Sequence, residues 1–231
     1  MTDFTFAHRQ EGFDEHIDWS IRGYRNLLDD VINLSRYFVE ADTKVVDIGC
    51  STGKLTARIM EYNNDVCPNA AYVGVEVAEG FSDNIENREK ELDKKYPNTQ
   101  VDFILDDIRN YEFRNCSLVT SLFTLQFMPY ASRSQVIQNV YDGLNEGGAF
   151  IFAEKIDTGH SRIENMLRTI YYQFKNQKFP YDDIMEKEKV LQNMLKPNSW
   201  CEIENMLNYA GFKVVQSFWQ NHLFIGAIAI K

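Results

Sequence analysis

The chain has 231 residues, of which 44% are hydrophobic, and its formal net charge is −10. These values are typical of one globular domain with a sizeable core, and the absence of a basic patch argues against direct contact with nucleic acid. No apolar run approaches the roughly 20 residues that span a bilayer, and the four scattered cysteines argue against a metal site and suit the cytoplasm.

Short apolar runs alternate with helical patterns, which predicts βαβ units around a parallel sheet. An N-terminal helix is predicted over residues 20–38. After it we predict strands over 44–48, 71–76, 101–105, 117–123 and 149–153, helices over 54–62, 79–96 and 132–144, and a turn at Gly147-Gly148.

The last third of the chain has a different pattern. Three helices are predicted over 161–178, 182–195 and 199–210, as a helical insertion at about 160–210 that ends at Gly211. Strands over 212–219 and 223–230 are so close together that only an antiparallel hairpin can join them. We therefore predict a single domain over 1–231, an α/β Rossmann-like class I methyltransferase fold with a seven-stranded, mostly parallel sheet, a C-terminal antiparallel hairpin and extra helices.

The strongest motif lies between the first strand and its helix, at residues 45–53, with the sequence VVDIGCSTG. Its glycines allow a tight turn close to a ligand, and the helix that follows offers unpaired N–H groups. This loop can hold the amino-acid end of S-adenosylmethionine through Gly49, Cys50, Ser51 and Gly53, with Asp47 at the cationic group. Its spacing does not match a P-loop or a dinucleotide loop, and a purely structural turn stays open.

Acidic and aromatic residues follow the next strands. Glu76 ends the second strand, where a carboxylate can bind both ribose hydroxyls or simply be solvated. After the third strand, Asp107 is expected to bind the adenine amino group and Ile108 to pack on the ring, while Asp106 caps a helix. Phe123 ends the fourth strand and is expected on the pocket floor, although a core position is the alternative.

Several motifs occur together in an order that resembles the carboxy-S-adenosylmethionine synthases, from about residue 12 to 231. They are D-I-G-C-S, D-D-I-R, F-T-L-Q-F, the G-L-N-x-G-G turn, Glu154-Lys155 and Phe174-Lys175. The resemblance implies conversion of S-adenosylmethionine and prephenate to carboxy-S-adenosylmethionine and phenylpyruvate, through an ylide that captures carbon dioxide. It also implies a homodimer whose product serves a separate enzyme that modifies the wobble uridine of tRNA.

The resemblance also assigns roles to residues. It places Tyr24 beside the sulfonium, Gly49 to Ser51 on the methionine part, Glu76 with Val77 on the ribose, and Asp107 with Ile108 on the adenine.

Two positions depart from the family pattern. Leu122 stands where the family has an asparagine, and Glu188 stands where it has an arginine that the partner subunit contributes. Lys187 or Lys189 could replace that arginine after a shift of one residue, and Arg22 could compensate for its loss. Tyr24, Arg22 and Lys187 are accordingly the candidate catalytic residues.

Because of these departures, two other functions stay open. One is conventional methyl transfer from S-adenosylmethionine to a small molecule, with Tyr171, Tyr172 or His160 as a base, and the other is non-catalytic binding of S-adenosylmethionine. A dianion such as prephenate requires basic groups, for which the candidates are Arg22, Arg25, Arg168, Lys175 and Lys187. Residues 166–195 are expected to form the dimer contact or a lid over their own subunit.

Overall fold

The computed structural model describes residue 6 and residues 12–231. The strands are β1 Lys44–Ile48, β2 Ala71–Glu76, β3 Val101–Leu105, β4 Cys116–Leu122, β5 Leu144–Asp157, β6 Asn198–Ser199, β7 Val214–Asn221 and β8 Phe224–Ile230. The helices are α1 Phe13–Ser20, α2 Tyr24–Ser35, α3 Lys54–Asn63, α4 Ser82–Lys95, α5 Tyr130–Gly143, α6 Ser161–Lys175, α7 Tyr181–Met194 and α8 Trp200–Ala210. Short 3-10 turns occupy Glu79–Phe81, Ile108–Asn110 and Leu125–Phe127.

Seven of these strands form one continuous sheet in the order β3-β2-β1-β4-β5-β8-β7, and the two-residue β6 pairs with β5 beside it. The first five strands run parallel, whereas β8 is antiparallel to both β5 and β7. This order confirms the predicted class I methyltransferase fold and its C-terminal hairpin. It also brings the carboxyl ends of β1, β2 and β4 together at one edge, where open α/β sheets bind ligands.

Both faces of the sheet are covered, because neighbouring strand residues point to opposite sides. Val46 and Val119 belong to the core cluster that includes residues of α5 and α8. Val45 and Leu118 belong to the cluster that includes residues of α2 and α3. All four are at most 1% exposed, so β1 and β4 form the rigid centre that carries the loops at the carboxyl edge.

The N-terminal helix predicted over 20–38 corresponds to α2, which is shorter than predicted, whereas α1 was not predicted and is separated from α2 by residues 21–23. Gly23 has φ +79°, a left-handed conformation that breaks the helical pattern. The preceding helix α1 has no fully buried residue, so its sequence lacks the strong apolar period that would have predicted it.

Two strand boundaries also differ from the prediction. The predicted turn at Gly147-Gly148 lies inside β5, where the pairing with β4 shifts register between Cys116 and Leu118. Strand β4 ends at Leu122, so Phe123 lies beyond the strand, with φ +61°. Gly211 does end α8 in the left-handed conformation, as predicted.

Among the residues that the structure describes, no helix is both long enough and apolar enough to cross a membrane.

The turn after β1 has no room for a side chain at Gly49. This glycine has φ +69°, and a Cβ atom would lie 2.2 Å from the Thr124 Oγ1 atom. We expect Gly49→Ala to lower the free energy of unfolding by about 2–4 kcal/mol, because backbone strain and overpacking add. Gly147→Ala is the matched control: it has φ +79° and open space around it, so about 1 kcal/mol is expected. Urea denaturation measures both, and equal losses would contradict the account.

Candidate active site

A cavity of about 460 Å³ opens at the carboxyl edge of the sheet. Its walls come from the loops after β1, β2, β3 and β4 and from helices α1, α2, α6 and α7. The predicted site residues that line it are Tyr24, Asp47, Gly49, Cys50, Ser51, Glu76, Val77, Asp107, Ile108, Phe123 and Lys187. The structure therefore brings most of the predicted set into one enclosure.

Asp47 lies at the end of β1 and is 3% exposed. Its two carboxylate oxygens accept hydrogen bonds from the Thr56 and Thr120 hydroxyls, each at 2.8 Å. Burial raises the pKa of Asp47 to about 6, because the charged form is removed from water. The ionised carboxylate retains lone pairs that could accept from the ammonium group of a bound amino acid.

Glu76 ends β2 and joins two loops. Its Oε2 atom accepts from the Ser51 backbone N–H at 2.8 Å, and its Oε1 atom accepts from the Val77 and Ala78 N–H groups at 2.9 and 2.8 Å. Burial raises the pKa of this carboxyl group, while the three backbone donors oppose that shift. The binding of ribose hydroxyls to Glu76 stays a prediction, since it requires the remaining acceptor capacity of the two oxygens.

Backbone hydrogen bonds to β2 hold the loop after β1 in place. The N–H groups of Gly49 and Cys50 donate to the Val75 carbonyl at 2.8 and 3.2 Å. Gly53, a predicted cofactor ligand, does not line the cavity. A glycine is required at this position for packing instead, because a Cβ atom there would lie 2.6 Å from the Phe103 ring.

Both aspartates after β3 line the cavity, and both have local partners. Asp107 accepts from the Arg109 backbone N–H at 2.9 Å and forms an ion pair with the Arg109 guanidinium at 2.5 Å. Asp106 accepts from the Asp107 N–H and from the Asn110 side-chain amide. The predicted cap at Asp106 is therefore wrong, because Asp107 is the N-cap of the Ile108–Asn110 turn, and the adenine contact of Asp107 stays a prediction.

Aromatic side chains cover the centre of the cavity. Tyr24 and Phe123 lie with ring centroids 6.2 Å apart, and Phe123 meets Phe224 edge-on at 5.7 Å. Burial raises the pKa of Tyr24 well above its ordinary value, so its hydroxyl stays protonated and able to donate. Phe123 is 6% exposed, so it serves the core and the cavity wall together.

Three lysines line the far end of the cavity: Lys155 on β5, Lys175 on α6 and Lys187 on α7. The Nζ atoms of Lys155 and Lys175 lie 5.7 and 5.1 Å from the centroid of the Tyr171 ring. Burial lowers the pKa of all three amino groups, and that of Lys187 falls to about 8. Lys175 and Lys187 were among the basic candidates predicted from the sequence, whereas Lys155 was not. The sequence feature that could have indicated Lys155 is its place beside Glu154.

Helix α7 covers the cavity of its own chain. Its Glu188 is 6% exposed and lies 3.8 Å from the Lys175 Nζ atom. Lys187 Nζ lies 2.5 Å from the His16 Nε2 atom of α1. Because burial lowers the pKa of His16 to about 4, its ring is neutral at pH 7 and can accept from the lysine. The lid alternative for this segment thus agrees with the structure.

Helix α1 supplies the contacts that sequence analysis missed. Asp14 accepts from the Thr52 hydroxyl at 2.8 Å, which ties α1 to the loop after β1. His16 reaches Lys187 on the other side of the cavity, so α1 connects the glycine loop to α7. The sequence offers no motif for these contacts, since each joins segments far apart along the chain.

The other basic candidates lie outside the cavity. Arg22 was expected to compensate for the missing arginine, but it is exposed at the break between α1 and α2 and does not line the cavity. Arg25 pairs with Asp18, and Arg168 pairs with Glu164. These three arginines therefore do not contribute to the cavity wall.

The donor set fits S-adenosylmethionine. Two buried carboxylates, Asp47 and Glu76, face the loop where an ammonium group and ribose hydroxyls could bind, and Gly49 keeps the backbone close. In the described part of the chain, no three His, Cys, Asp or Glu side chains gather where they could hold a metal ion.

The sheet order and this cavity define a class of protein, the S-adenosylmethionine-dependent transferases of the class I methyltransferase superfamily. The methyltransferase domain family matches residues 46–150. Among solved structures, an O-methyltransferase family protein from Burkholderia thailandensis has a TM-score of 0.65 at 16% identity, covering 98% of this chain and 61% of its own. Magnesium protoporphyrin IX methyltransferase from Synechocystis has a TM-score of 0.61 at 17% identity, covering 90% of this chain and 83% of its own. These likenesses show the fold.

The particular family follows from closer relatives. Carboxy-S-adenosyl-L-methionine synthase from Staphylococcus epidermidis is 32% identical over 231 residues, which cover 99% of this chain and 97% of the relative. The synthase from Actinobacillus succinogenes is 31% identical, covering 100% of this chain and 95% of the relative. The chain belongs to the carboxy-S-adenosyl-L-methionine synthase family, and S-adenosylmethionine is its cofactor or substrate.

The raised pKa of Asp47 predicts pH-dependent ligand binding. Protonated Asp47 cannot attract the ammonium group, so the affinity for S-adenosylhomocysteine should fall below about pH 6, by up to tenfold per unit. Calorimetric titrations between about pH 5 and 8 measure this slope. Asp47→Asn should bind more weakly at pH 7 and lose most of the slope. Identical slopes in the two proteins would contradict the assignment.

Proposed function

We propose that the protein converts S-adenosylmethionine and prephenate to carboxy-S-adenosylmethionine, with release of phenylpyruvate. The observation that carries this proposal is that one cavity is lined by the clustered lysines Lys155, Lys175 and Lys187 and by the buried carboxylates Asp47 and Glu76. The lysines suit a small dianion, and the carboxylates suit a cationic amino acid with its ribose. The name of the relatives at 31–32% identity supports the same activity.

The reaction balances without an added oxidant. The positive sulfur acidifies its methyl group, so that bound S-adenosylmethionine supplies a carbon nucleophile for carbon dioxide. Prephenate loses carbon dioxide and its hydroxyl group as it becomes phenylpyruvate. The methyl proton and the hydroxyl group leave as water, and the new bond joins the methyl carbon to carbon dioxide.

The chain's own residues would bind, orient and shield the reactants. Lys155 and Lys175 would hold carboxylates of prephenate, since ammonium–carboxylate hydrogen bonds in a dry site are strong. The protonated Tyr24 hydroxyl would donate near the reacting methyl group. Helices α1 and α7, joined by His16 and Lys187, would exclude water, which keeps carbon dioxide and the reactive carbon together.

Methyl transfer to a small molecule is the second candidate function. It is favoured by Leu122 and Glu188, which line the cavity where the family pattern has an asparagine and an arginine. Non-catalytic binding of S-adenosylmethionine is the third, and a cavity with no room for a second ligand would favour it.

The wider role is also a proposal. We infer a cytoplasmic homodimer whose product passes to a separate enzyme that modifies the wobble uridine of tRNA. The net charge of −10 supports a protein that does not itself bind RNA. Sedimentation at micromolar concentration tests the dimer.

Mass spectrometry tests the activity directly. The purified protein, incubated with S-adenosylmethionine and prephenate, should yield a product that is heavier by one carboxyl group. No such product at saturating substrates would reject the proposal, and S-adenosylhomocysteine formed with a small-molecule acceptor would favour the second function.

A lysine variant tests the prephenate subsite. Lys155→Met should raise the KM for prephenate about tenfold to a hundredfold, because a charged hydrogen bond contributes about 1.5–3 kcal/mol. The affinity for S-adenosylhomocysteine should stay unchanged. Lys189→Met is the matched control, since Lys189 is exposed on α7 and does not line the cavity. An unchanged KM in the Lys155 variant would contradict the subsite.

A further inference from the structure

An acidic side chain lies among the three lysines of the cavity. Glu188 is buried, and its Oε2 atom accepts a hydrogen bond from the Tyr172 hydroxyl at 3.1 Å. Its Oε1 atom lies 3.8 Å from the Lys175 Nζ atom and has no hydrogen-bond partner. Because this oxygen forms an ion pair with Lys175 without a hydrogen bond, Glu188 acts on the lysine through its charge.

The ammonium groups of these lysines repel one another, and the charge of Glu188 offsets part of that repulsion. Lys155 and Lys175 both approach the ring of Tyr171, Lys155 disfavours the charged form of Lys175, and Lys175 disfavours that of Lys187. Burial lowers the pKa of each lysine, whereas Glu188 raises it in all three cases. With the lysines protonated and Glu188 ionised, the cluster has a net charge of +2.

We propose that Glu188 is a positioning residue that holds the three lysines together as a charged cluster for the two carboxylates of a small dianion. This inference rests on the proposed function and names how its second substrate is recognised. A cluster with a net charge of +2 attracts a dianion more strongly than a monoanion, so the site favours a ligand with two carboxylates over one with a single carboxylate. The Tyr172 hydrogen bond keeps the Glu188 carboxylate in place at the cavity wall.

Charged and titratable groups approach this cluster from four elements. They are His16 of α1, Lys155 of β5, Glu164, Arg168, Tyr171, Tyr172 and Lys175 of α6, and Lys187 of α7. At neutral pH the His16 ring is uncharged, Tyr172 is protonated and the Arg168 guanidinium is charged. The lysines are therefore the groups that change charge as the pH rises from neutral.

The test is the pH dependence of dianion binding in Glu188→Gln, which keeps the shape of the side chain and removes its charge. Phthalate is the dianionic probe and benzoate the monoanionic one, each titrated into protein saturated with S-adenosylhomocysteine. At about pH 6.5 the variant should bind phthalate on the order of tenfold more tightly, because the cluster gains a positive charge. As the pH rises, the variant should lose its affinity for phthalate about one pH unit below the wild type, because its lysines deprotonate at lower pH. Benzoate should show the smaller change at every pH.

Two variants separate charge from packing. Glu186→Gln removes an exposed charge from the same helix and should behave as the wild type. Tyr172→Phe removes the hydrogen bond to Glu188 but keeps the charge, so it should weaken phthalate binding with an unchanged pH midpoint. S-adenosylhomocysteine affinity reports that each variant is folded.

Several results would overturn the inference. A Glu188→Gln midpoint equal to that of the wild type would do so, as would a uniform loss of affinity like that of Tyr172→Phe, or no phthalate binding by the wild type. The proposed function fails separately, if prephenate yields no carboxylated product. If Glu188→Gln shifts the pH midpoint of phthalate binding but prephenate yields no carboxylated product, the dianion subsite is supported and the proposed reaction is rejected.

Discussion

The carboxylate of Glu76 accepts three backbone hydrogen bonds and thereby fixes the position of two ligand-facing loops. One donor comes from Ser51 in the turn after β1, and the others follow Glu76 itself. Charged acceptors of this kind contribute about 1.5–3 kcal/mol per bond, and burial strengthens the penalty for losing one. The glycine turn and the end of β2 are therefore held as one unit before any ligand arrives.

A second buried glutamate repeats this arrangement across the sheet. Glu154 on β5 accepts from the N–H groups of Leu125 and Gln126 at 3.0 and 2.8 Å, and burial raises its pKa to about 8. It fixes the segment after β4, which carries Thr124 beneath Gly49. Buried acidic residues of β2 and β5 thus hold the loops of the cavity floor in place, while α1, α6 and α7 cover the cavity and supply Lys175 and Lys187.

The sequence predicted the residues at the carboxyl edge of the sheet better than the helices that cover the cavity. Asp47, Gly49 and Glu76 lie at the ends of strongly apolar strands, so their places at one edge follow from parallel strand order alone. Helix α1 has no comparable apolar period, and its contacts from Asp14 to Thr52 join distant segments. Lys155 was missed because a lysine in a strand looks solvated until helix α6 is packed over it. Glu188 was identified from the sequence only as standing where the family has an arginine, because its pairing with Lys175 depends on two helices meeting and is not encoded in a motif.

We expect the turn after β1 and the carboxylate of Glu76 to bind S-adenosylmethionine with its sulfonium end toward the lysines. A crystal structure of the protein with S-adenosylhomocysteine and prephenate tests it most directly. The account predicts the ribose hydroxyls within hydrogen-bonding distance of Glu76, the amino group near Asp47, and a prephenate carboxylate near Lys155 and Lys175. A nucleoside bound elsewhere, or prephenate bound away from the lysines, would contradict it.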